Sequence, residues 1–413
     1  MTANAVAAPT AAARERWRAA DLEARPRRLE RLRERLAADG LDAYLGLRPE
    51  NSRYLAGFVL GDGEEKVCGA SGRFLVSADE SVVVADSRYR LQAHEECPAS
   101  RVADLVGSFV DAWPELLGGL RPISGAADGG VRRVAVEAGF LSHAEWLRLV
   151  EAAPDVELVP VEGLIEEQRR VKEPAETERI RAACAVADAA LAETLADIRV
   201  GVSEHELALA LEWRMRTGGA EGLAFDVACL SGPRAALPHG SPGERTVQRG
   251  EVLLFDFGAR VDGYRSDMTR TLFVGQPTAG DLAIYELVAR AQQAAIELLR
   301  EAIPAGLSIT NRQLDAAARD VIEAAGQGSR FGHGTGHGIG LATHELPSVG
   351  RSAAEEPLPS PTVFSVEPGV YLDGVTGVRI EDLVAIDDAT GSVELLTAFP
   401  REVTVVGVQR SLR

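Results

Sequence analysis

Four carboxylates and one histidine, Asp256, Asp267, His337, Glu367 and Glu381, have the order and spacing that a two-metal hydrolase needs. With a neutral imidazole the set carries four negative charges; two divalent cations neutralise them, whereas one leaves the cluster repulsive. The donors are mostly hard oxygens without a thiolate, so Mn²⁺ is the expected ion, with Zn²⁺, Co²⁺ and Fe²⁺ as alternatives. Cations paired about 3.5–4 Å apart activate a water at neutral pH and polarise the carbonyl it attacks, which is hydrolysis without a protein nucleophile. A lone aspartate in a strand pattern is more often a turn or edge residue than a ligand, but five such residues together change that reading.

Side chains of this kind need carriers, and the sequence supplies two of similar grammar. In LLFDFGARVDGYRSDMTRTLFVG, β-favouring residues run to an Asp-Gly turn at Asp262 and Gly263 and then resume, which predicts a hairpin bearing Asp256 on one arm and Asp267 on the return. In VFSVEPGVYLDGVTGVRIEDLVAI the same order recurs around Asp373 and Gly374, with Glu367 before and Glu381 after. The turn Asp follows the first acid by six positions in both, and the acids are 11 and 14 positions apart, so the second copy has a longer loop. Gly201-Val202-Ser203 and Gly306-Leu307-Ser308, 105 positions apart, each open a helical stretch, and His239 and His344 are separated by the same 105. Ser203 with Glu206 forms a capping box, and Leu207, Leu209 and Leu211 supply an apolar side. These features predict two related α+β halves, each giving two acids to a shared centre.

Burying Asp256 among Leu253, Leu254, Phe255 and Phe257 is prohibitive without a compensating cation or donors. His337 lies between Gly336 and Gly338, where absent side chains let backbone crowd close. The block FGHGTGHGIGLATHELP lacks His-Glu-x-x-His, since Ser348 stands at the second histidine position, and it lacks Gly-x-Gly-x-x-Gly, so a zinc-protease helix and a dinucleotide site are both excluded.

Residues 174 to 405 resemble the pita-bread metallopeptidases, the group of methionine aminopeptidase, aminopeptidase P, prolidase and creatinase. The resemblance rests on the four acids and the histidine together with PHG at Pro238 to Gly240, SDMTRT at Ser266 to Thr271, EPGVY at Glu367 to Tyr371 and RIED at Arg379 to Asp382. It implies that Asp256, Asp267, His337, Glu367 and Glu381 are the metal ligands, with Asp267 and Glu381 bridging. It also implies that His239 and His344 contact substrate or move protons, that Glu367 assists proton transfer to the leaving nitrogen, that His333 lines the pocket for the residue after the scissile bond, and that Arg379 sits beside the bridging glutamate. For the three histidines, and for Arg379, the competing expectation is a hydrogen-bonded core residue or a neutraliser of nearby acids. Tyr264, at the first hairpin turn, is a further candidate for the cleft wall. Where many relatives carry Asn, this chain has Arg234, which could lie near the cleft; Arg351 could read a free substrate carboxylate, but a solvated surface arginine is the stronger expectation.

NSRYLAGF at Asn51 to Phe58 and DSRYRLQA at Asp86 to Ala93 resemble the creatinase-type amino-terminal domain of aminopeptidase P and prolidase. The expected fold is α+β: residues 1–25 frayed or a short helix, a creatinase-type α/β domain over 26–170, and a pseudo-two-fold pita-bread catalytic domain over 171–413. Arg27 to Ala38 is a helix candidate, Leu41 to Leu47 and Ser81 to Ala85 are strand candidates, and Ser124 to Gly130 is a surface loop. Pro174 is expected to start a helix running through Ala196. The expected activity is an exopeptidase acting on short peptides with proline at the second position (an Xaa-Pro aminopeptidase). The alternatives are an Xaa-Pro dipeptidase, a creatinase-like hydrolase of a small C–N substrate, and a non-catalytic binding module; the intact ligand set counts against the last two. The resemblance also implies a homodimer.

The net charge of −18, from 44 basic and 62 acidic residues, argues against nucleic-acid or anionic-membrane binding. Cys68, Cys97, Cys184 and Cys229 are scattered, which suits reduced thiols in a cytoplasmic protein. The sequence contains no apolar run long enough for a membrane span and no signal-peptide core near its start.

Overall fold

The computed structural model describes residues 8–61, 69–125 and 130–407, so Cys68 and the middle of the expected loop at Ser124 to Gly130 lie outside the described residues. The chain divides into two units, one of Arg18–Gln168 and one of residues up to Trp17 together with those from Arg169 onward.

Helix α1 (Ala11–Ala38) runs without a break through the stretch expected to be frayed or a short helix and on through the helix expected from Arg27. Its first turns are rich in Ala, Arg and Glu, all strong helix formers. Trp17 is buried in the larger unit's core, so that end is tied down. The smaller unit carries a six-stranded sheet of β1 (Ala43–Gly46), β2 (Phe74–Val76), β3 (Ser81–Asp86), β4 (Arg101–Leu105), β5 (Arg133–Glu137) and β6 (Glu157–Val161), in the order β4-β3-β2-β1-β5-β6. β1, β2 and β3 pair antiparallel, whereas β3–β4, β1–β5 and β5–β6 are parallel. Its helices are α2 (Pro49–Leu55), α3 (Arg90–Glu96), α4 (Phe109–Gly118) and α5 (His143–Ala152). Phe109, Trp113 and Leu149 from α4 and α5 share a core with Leu45, Val84 and Val136 of the sheet.

After the short α6 (Glu166–Arg169), the larger unit is built twice. The first half has α7 (Pro174–Thr194), which begins on Pro174 with a Glu173–Glu176 capping box, and α8 (Glu204–Thr217), capped by Ser203 and Glu206. The second has α9 (Ala279–Ala302) and α10 (Asn311–Ala324), the latter capped by Thr310 and Gln313. Thus the partner of Ser203 is Thr310, not Ser308; Gly306 to Ser308 belong to the preceding turn. Leu207 and Leu211 face the core, but Leu209 is exposed, because positions two apart on a helix lie on opposite sides.

Each helix pair covers a sheet. In the first half, β8 (Ala228–Ser231), β9 (Val252–Phe257), β12 (Met268–Val274) and β20 (Val405–Val406) run in the order β20-β12-β9-β8. In the second, β13 (Gly336–Gly338), β14 (Glu345–Val349), β15 (Thr362–Val366), β18 (Asp382–Asp387) and β19 (Ser392–Leu395) run β14-β13-β15-β18-β19. The two hairpins are β10 (Ala259–Val261) with β11 (Tyr264–Arg265), joined on their other side by β7 (Gly222–Leu223), and β16 (Gly369–Leu372) with β17 (Thr376–Arg379). The first turns on Asp262 and Gly263, both with positive φ, as a two-residue turn between twisted strands requires. The second needs three residues, with Gly374 at φ 70°.

Candidate metal centre

The acids sit where strands end or kink. Asp256 is on β9, opposite Thr269 of β12 and Ala228 of β8. Asp267 occupies the break between β11 and β12, and Glu381 the equivalent break between β17 and β18. Glu367 directly follows β15, its N–H donating to Thr335 O at 2.8 Å. The two halves are stitched here: Glu381 N–H donates to Thr269 O at 3.1 Å, and the Thr269 hydroxyl donates to Glu381 Oε2 at 2.7 Å. From behind, Arg270 donates to Glu381 O at 2.5 Å and to Asp382 Oδ1 at 2.6 Å.

One ligand atom each from Asp267, His337 and Glu381 fall within 4.8 Å of one another. His337 Nδ1 lies 3.0 Å from Gly338 O, and because a carbonyl can only accept, Nδ1 carries a proton and aims Nε2 at the acids. Nε2 is 3.3 Å from Glu367 Oε1 and 3.8 Å from Asp267 Oδ2. Ser365 Oγ donates to Glu367 Oε1 at 3.0 Å and accepts His337 N–H at 3.0 Å.

Burial raises Asp267 well above the usual carboxylate range, with the charge of Glu381 adding to it; burial and the charge of Glu367 do the same to Glu381. Burial also raises Asp256, against the pull of Arg379. Burial opposes ionisation of His337 and Glu367 too, but their mutual hydrogen bond and attraction prevail, holding His337 at about 9 and Glu367 at about 2. Burial and mutual repulsion therefore disfavour the ionised cluster unless a cation compensates it. A set of converging hard oxygens and one imidazole nitrogen whose charge calls for such neutralisation fits divalent metal ions.

These five residues line a cavity of about 360 Å³ with His239, His333, His344, Arg379, Phe225, Pro238, Thr343 and Ser348. His344 lies beside His337 with ring centroids 4.2 Å apart and ring planes tilted by 45°, and burial together with the charge of His337 lowers its pKa. His333 has both ring nitrogens engaged, Nδ1 with Gly334 O at 2.8 Å and Nε2 with the Tyr371 hydroxyl at 2.9 Å, so it turns ring carbons toward the cavity. Arg379 is buried and donates to Asp256 Oδ2 at 2.5 Å, Thr269 Oγ1 at 2.9 Å and Tyr371 OH at 2.9 Å.

Tyr264, the further candidate for the cleft wall, lies elsewhere, and so do the two arginines considered for a substrate carboxylate. Tyr264 is buried, its hydroxyl donating to Glu176 Oε1 at 3.1 Å and Arg179 sitting 5.2 Å from its ring, because β11 directs it to α7. Arg234 is paired with Glu204, and Arg351 is exposed; neither lines the cavity. Conversely, Thr269 and Tyr371 stood inside SDMTRT and EPGVY without being singled out, and Ser365 two residues before Glu367 was equally visible. Phe225 had no signal in the sequence.

A four-acid centre shared by the halves of a duplicated α+β unit defines a metal-dependent hydrolase. Residues 178–388 match Metallopeptidase family M24 and residues 28–171 match the Creatinase/Prolidase N-terminal domain. The chain belongs to this family, with a creatinase-type domain preceding a pita-bread catalytic domain. A solved Xaa-Pro dipeptidase from Bacillus anthracis is 33% identical, with a TM-score of 0.81 over 92% of this chain and 99% of that one. The X-Pro aminopeptidase of Thermotoga maritima is 34% identical, with a TM-score of 0.76 over 91% of this chain and 99% of that one. An Xaa-Pro dipeptidase of Pyrococcus furiosus is 36% identical over 64% of this chain and 73% of its own length. Among the described residues, no helix is long and apolar enough to cross a membrane.

Proposed function

We propose that this chain is an Xaa-Pro aminopeptidase, releasing the amino-terminal residue of short peptides whose second residue is proline. Asp256, Asp267, His337, Glu367 and Glu381 would hold two divalent cations, Mn²⁺ for preference. When bound, the pair supplies an activated water and polarises the carbonyl before proline. The observation that carries the reading is the convergence of these five side chains with three histidines around one cavity.

The chain's own residues do the rest. Neutral His344 donates a hydrogen bond to the carbonyl oxygen as charge develops there, with His239 on the facing loop as the second donor. His344 and Glu367 pass a proton to the departing nitrogen. The carboxylates hold the peptide's free amino group. Proline makes the scissile bond a tertiary amide with no N–H, so its ring needs only packing, and the carbon face of His333 with Phe225 and Pro238 provides apolar surface.

Peptide length separates the main reading from its neighbour. Among the cavity-lining residues the one permanent cation is Arg379, and its guanidinium is engaged by Asp256, Thr269 and Tyr371. Among the described residues, no second arginine or lysine lines the cavity to read a free proline carboxylate, which favours longer peptides. The names of two similar proteins favour a dipeptidase instead. Metal-reconstituted protein assayed against Xaa-Pro, Xaa-Pro-Xaa and non-proline peptides decides: tripeptide cleavage supports the aminopeptidase, cleavage of dipeptides alone the dipeptidase, and cleavage of none a small C–N substrate. A cytoplasmic homodimer completes the reading, supported by buried free Cys97, Cys184 and Cys229 and by the family resemblance, and sedimentation of the reconstituted protein tests the dimer.

A further inference from the structure

We infer that Arg234 is a positioning residue that locks the loop carrying His239, through a clamp formed with Glu204; the inference rests on the substrate-contacting role proposed for His239. His239 stands on an exposed turn, and its ring lines the metal cavity. The turn itself is short, with Leu237 N–H donating to Arg234 O at 2.9 Å and Gly240 N–H to Leu237 O at 3.2 Å. Two links fasten its ends to one anchor, Glu204, and a third joins the ends to each other. Arg234 Nε donates to Glu204 Oε2 at 2.9 Å, Arg234 Nη2 crosses to Ser241 O at 2.5 Å, and Gly243 N–H donates to the same Glu204 Oε2 at 3.1 Å.

Glu204 is a firm anchor. Its side chain is fully buried, while that of Arg234 is 36% exposed. It sits in the first turn of α8, where a carboxylate is favoured by the helix dipole, and its Oε1 accepts from Ser231 N–H at 2.8 Å and Ser231 Oγ at 2.9 Å. His205 N–H adds a backbone link to Gly243 O at 3.1 Å. One planar guanidinium thus joins the start of the loop, its far end and the helix, a geometry that a flexible ammonium cannot reproduce because it lacks the paired donors. The closure leaves His239 between two fixed points. This also explains why Arg234 is not available to a substrate carboxylate.

A displacement of about 1 Å in a contacting group can cost on the order of 100-fold in rate. Arg234→Ala is therefore expected to lower kcat about tenfold or more with metal content unchanged, and to speed amide exchange over residues 237–243 relative to the rest of the larger unit. Arg234→Lys, which keeps a charge opposite Glu204 and guards against a simple folding defect, should fall between. The decisive measurement is the double-mutant cycle with His239→Ala, using metal-reconstituted enzyme and an Xaa-Pro-Xaa peptide. If Arg234 acts through His239, adding Arg234→Ala to His239→Ala changes kcat less than about twofold. Independent, multiplying losses overturn the inference, as does unchanged exchange in the loop. A silent His239→Ala combined with a slow Arg234→Ala overturns it as well and separately removes His239 from the proposed mechanism, whereas peptide cleavage by the parent enzyme tests the proposed activity itself.

Discussion

Asp267 and Glu381 are acids whose ionised forms the fold disfavours, since among the described residues neither is paired with an arginine or lysine side chain, and burial raises both. Their charge is useful once cations are present. Replacing either by its amide (Asp267→Asn or Glu381→Gln) is expected to abolish metal loading by elemental analysis and to reduce turnover by at least about 100-fold, since even residues behind metal ligands cost about 10–100-fold. The metal-free amide variants should be at least as stable as metal-free parent at neutral pH. A group whose folded pKa is raised contributes stability at low pH and loses it as pH rises through that pKa, and an amide never ionises. Loss of stability in the metal-free variants would contradict this assignment. His344 belongs to a different class. It touches the His337 ring and is none of the five proposed ligands, so His344→Ala should retain both metals and lose about 100-fold or more in kcat, as removal of an acid–base group does. A variant with full activity per bound metal would remove it from proton transfer.

At the scale of elements, His337 is delivered by a strand pressed against its neighbour. A Cβ on Gly336 would stand 1.9 Å from Ser365 O, a backbone atom that cannot yield, so Gly336→Ala must push β13 from β15 and carry His337 with it. Overpacking of this kind costs about 1–3 kcal/mol, and here the expected signature is a lower Tm together with weaker metal retention during dialysis. The hairpins were legible in the sequence because Asp-Gly turns need positive φ, and the acids flanking them follow from that punctuation. Pro174 and Ser203 were legible as helix starts for the same local reason. Tyr264 was misjudged because adjacent hairpin positions point to opposite faces, and sequence alone did not reveal which face met α7. The second cap was displaced from Ser308 to Thr310 because an exact 105-residue offset assumes no insertion between the halves, whereas the turn beginning near Gly306 absorbs two extra residues before α10. Bonds such as Arg379 to Asp256 or Glu381 N–H to Thr269 O join segments more than 100 positions apart and leave no local trace.

For the whole molecule, a centre fed by both halves ties metal binding to stability. Metals at about 100 times their dissociation constant add about 2.7 kcal/mol per site, so chelation should lower the Tm of the larger unit, and dilution of the metal should do so progressively. A second tie joins distant parts of that unit by charge. Arg169 Nη2 and Lys172 Nζ, both buried, pair with buried Glu345, the latter at 3.2 Å, and Glu345 also accepts Ala342 N–H at 2.7 Å. Burial would raise the Glu345 pKa, but the charges of Arg169 and Lys172 outweigh it and hold the group at about 2, below its usual 4.5. A depressed carboxylate contributes stability above its unfolded pKa and loses it as pH falls through the folded one, so this contribution is complete above about pH 4.5 and disappears toward pH 2. Glu345→Gln removes the charge that two buried cations share, and breaking a buried pair costs about 3–5 kcal/mol. Urea unfolding of both proteins, stripped of metal so that the centre does not intrude, should therefore show a gap that is widest near pH 7 and narrows below pH 4.5. A gap of constant size across that range would mean that the glutamine disturbs packing rather than an ion pair, and that the segment around residue 170 is held by contacts other than charge.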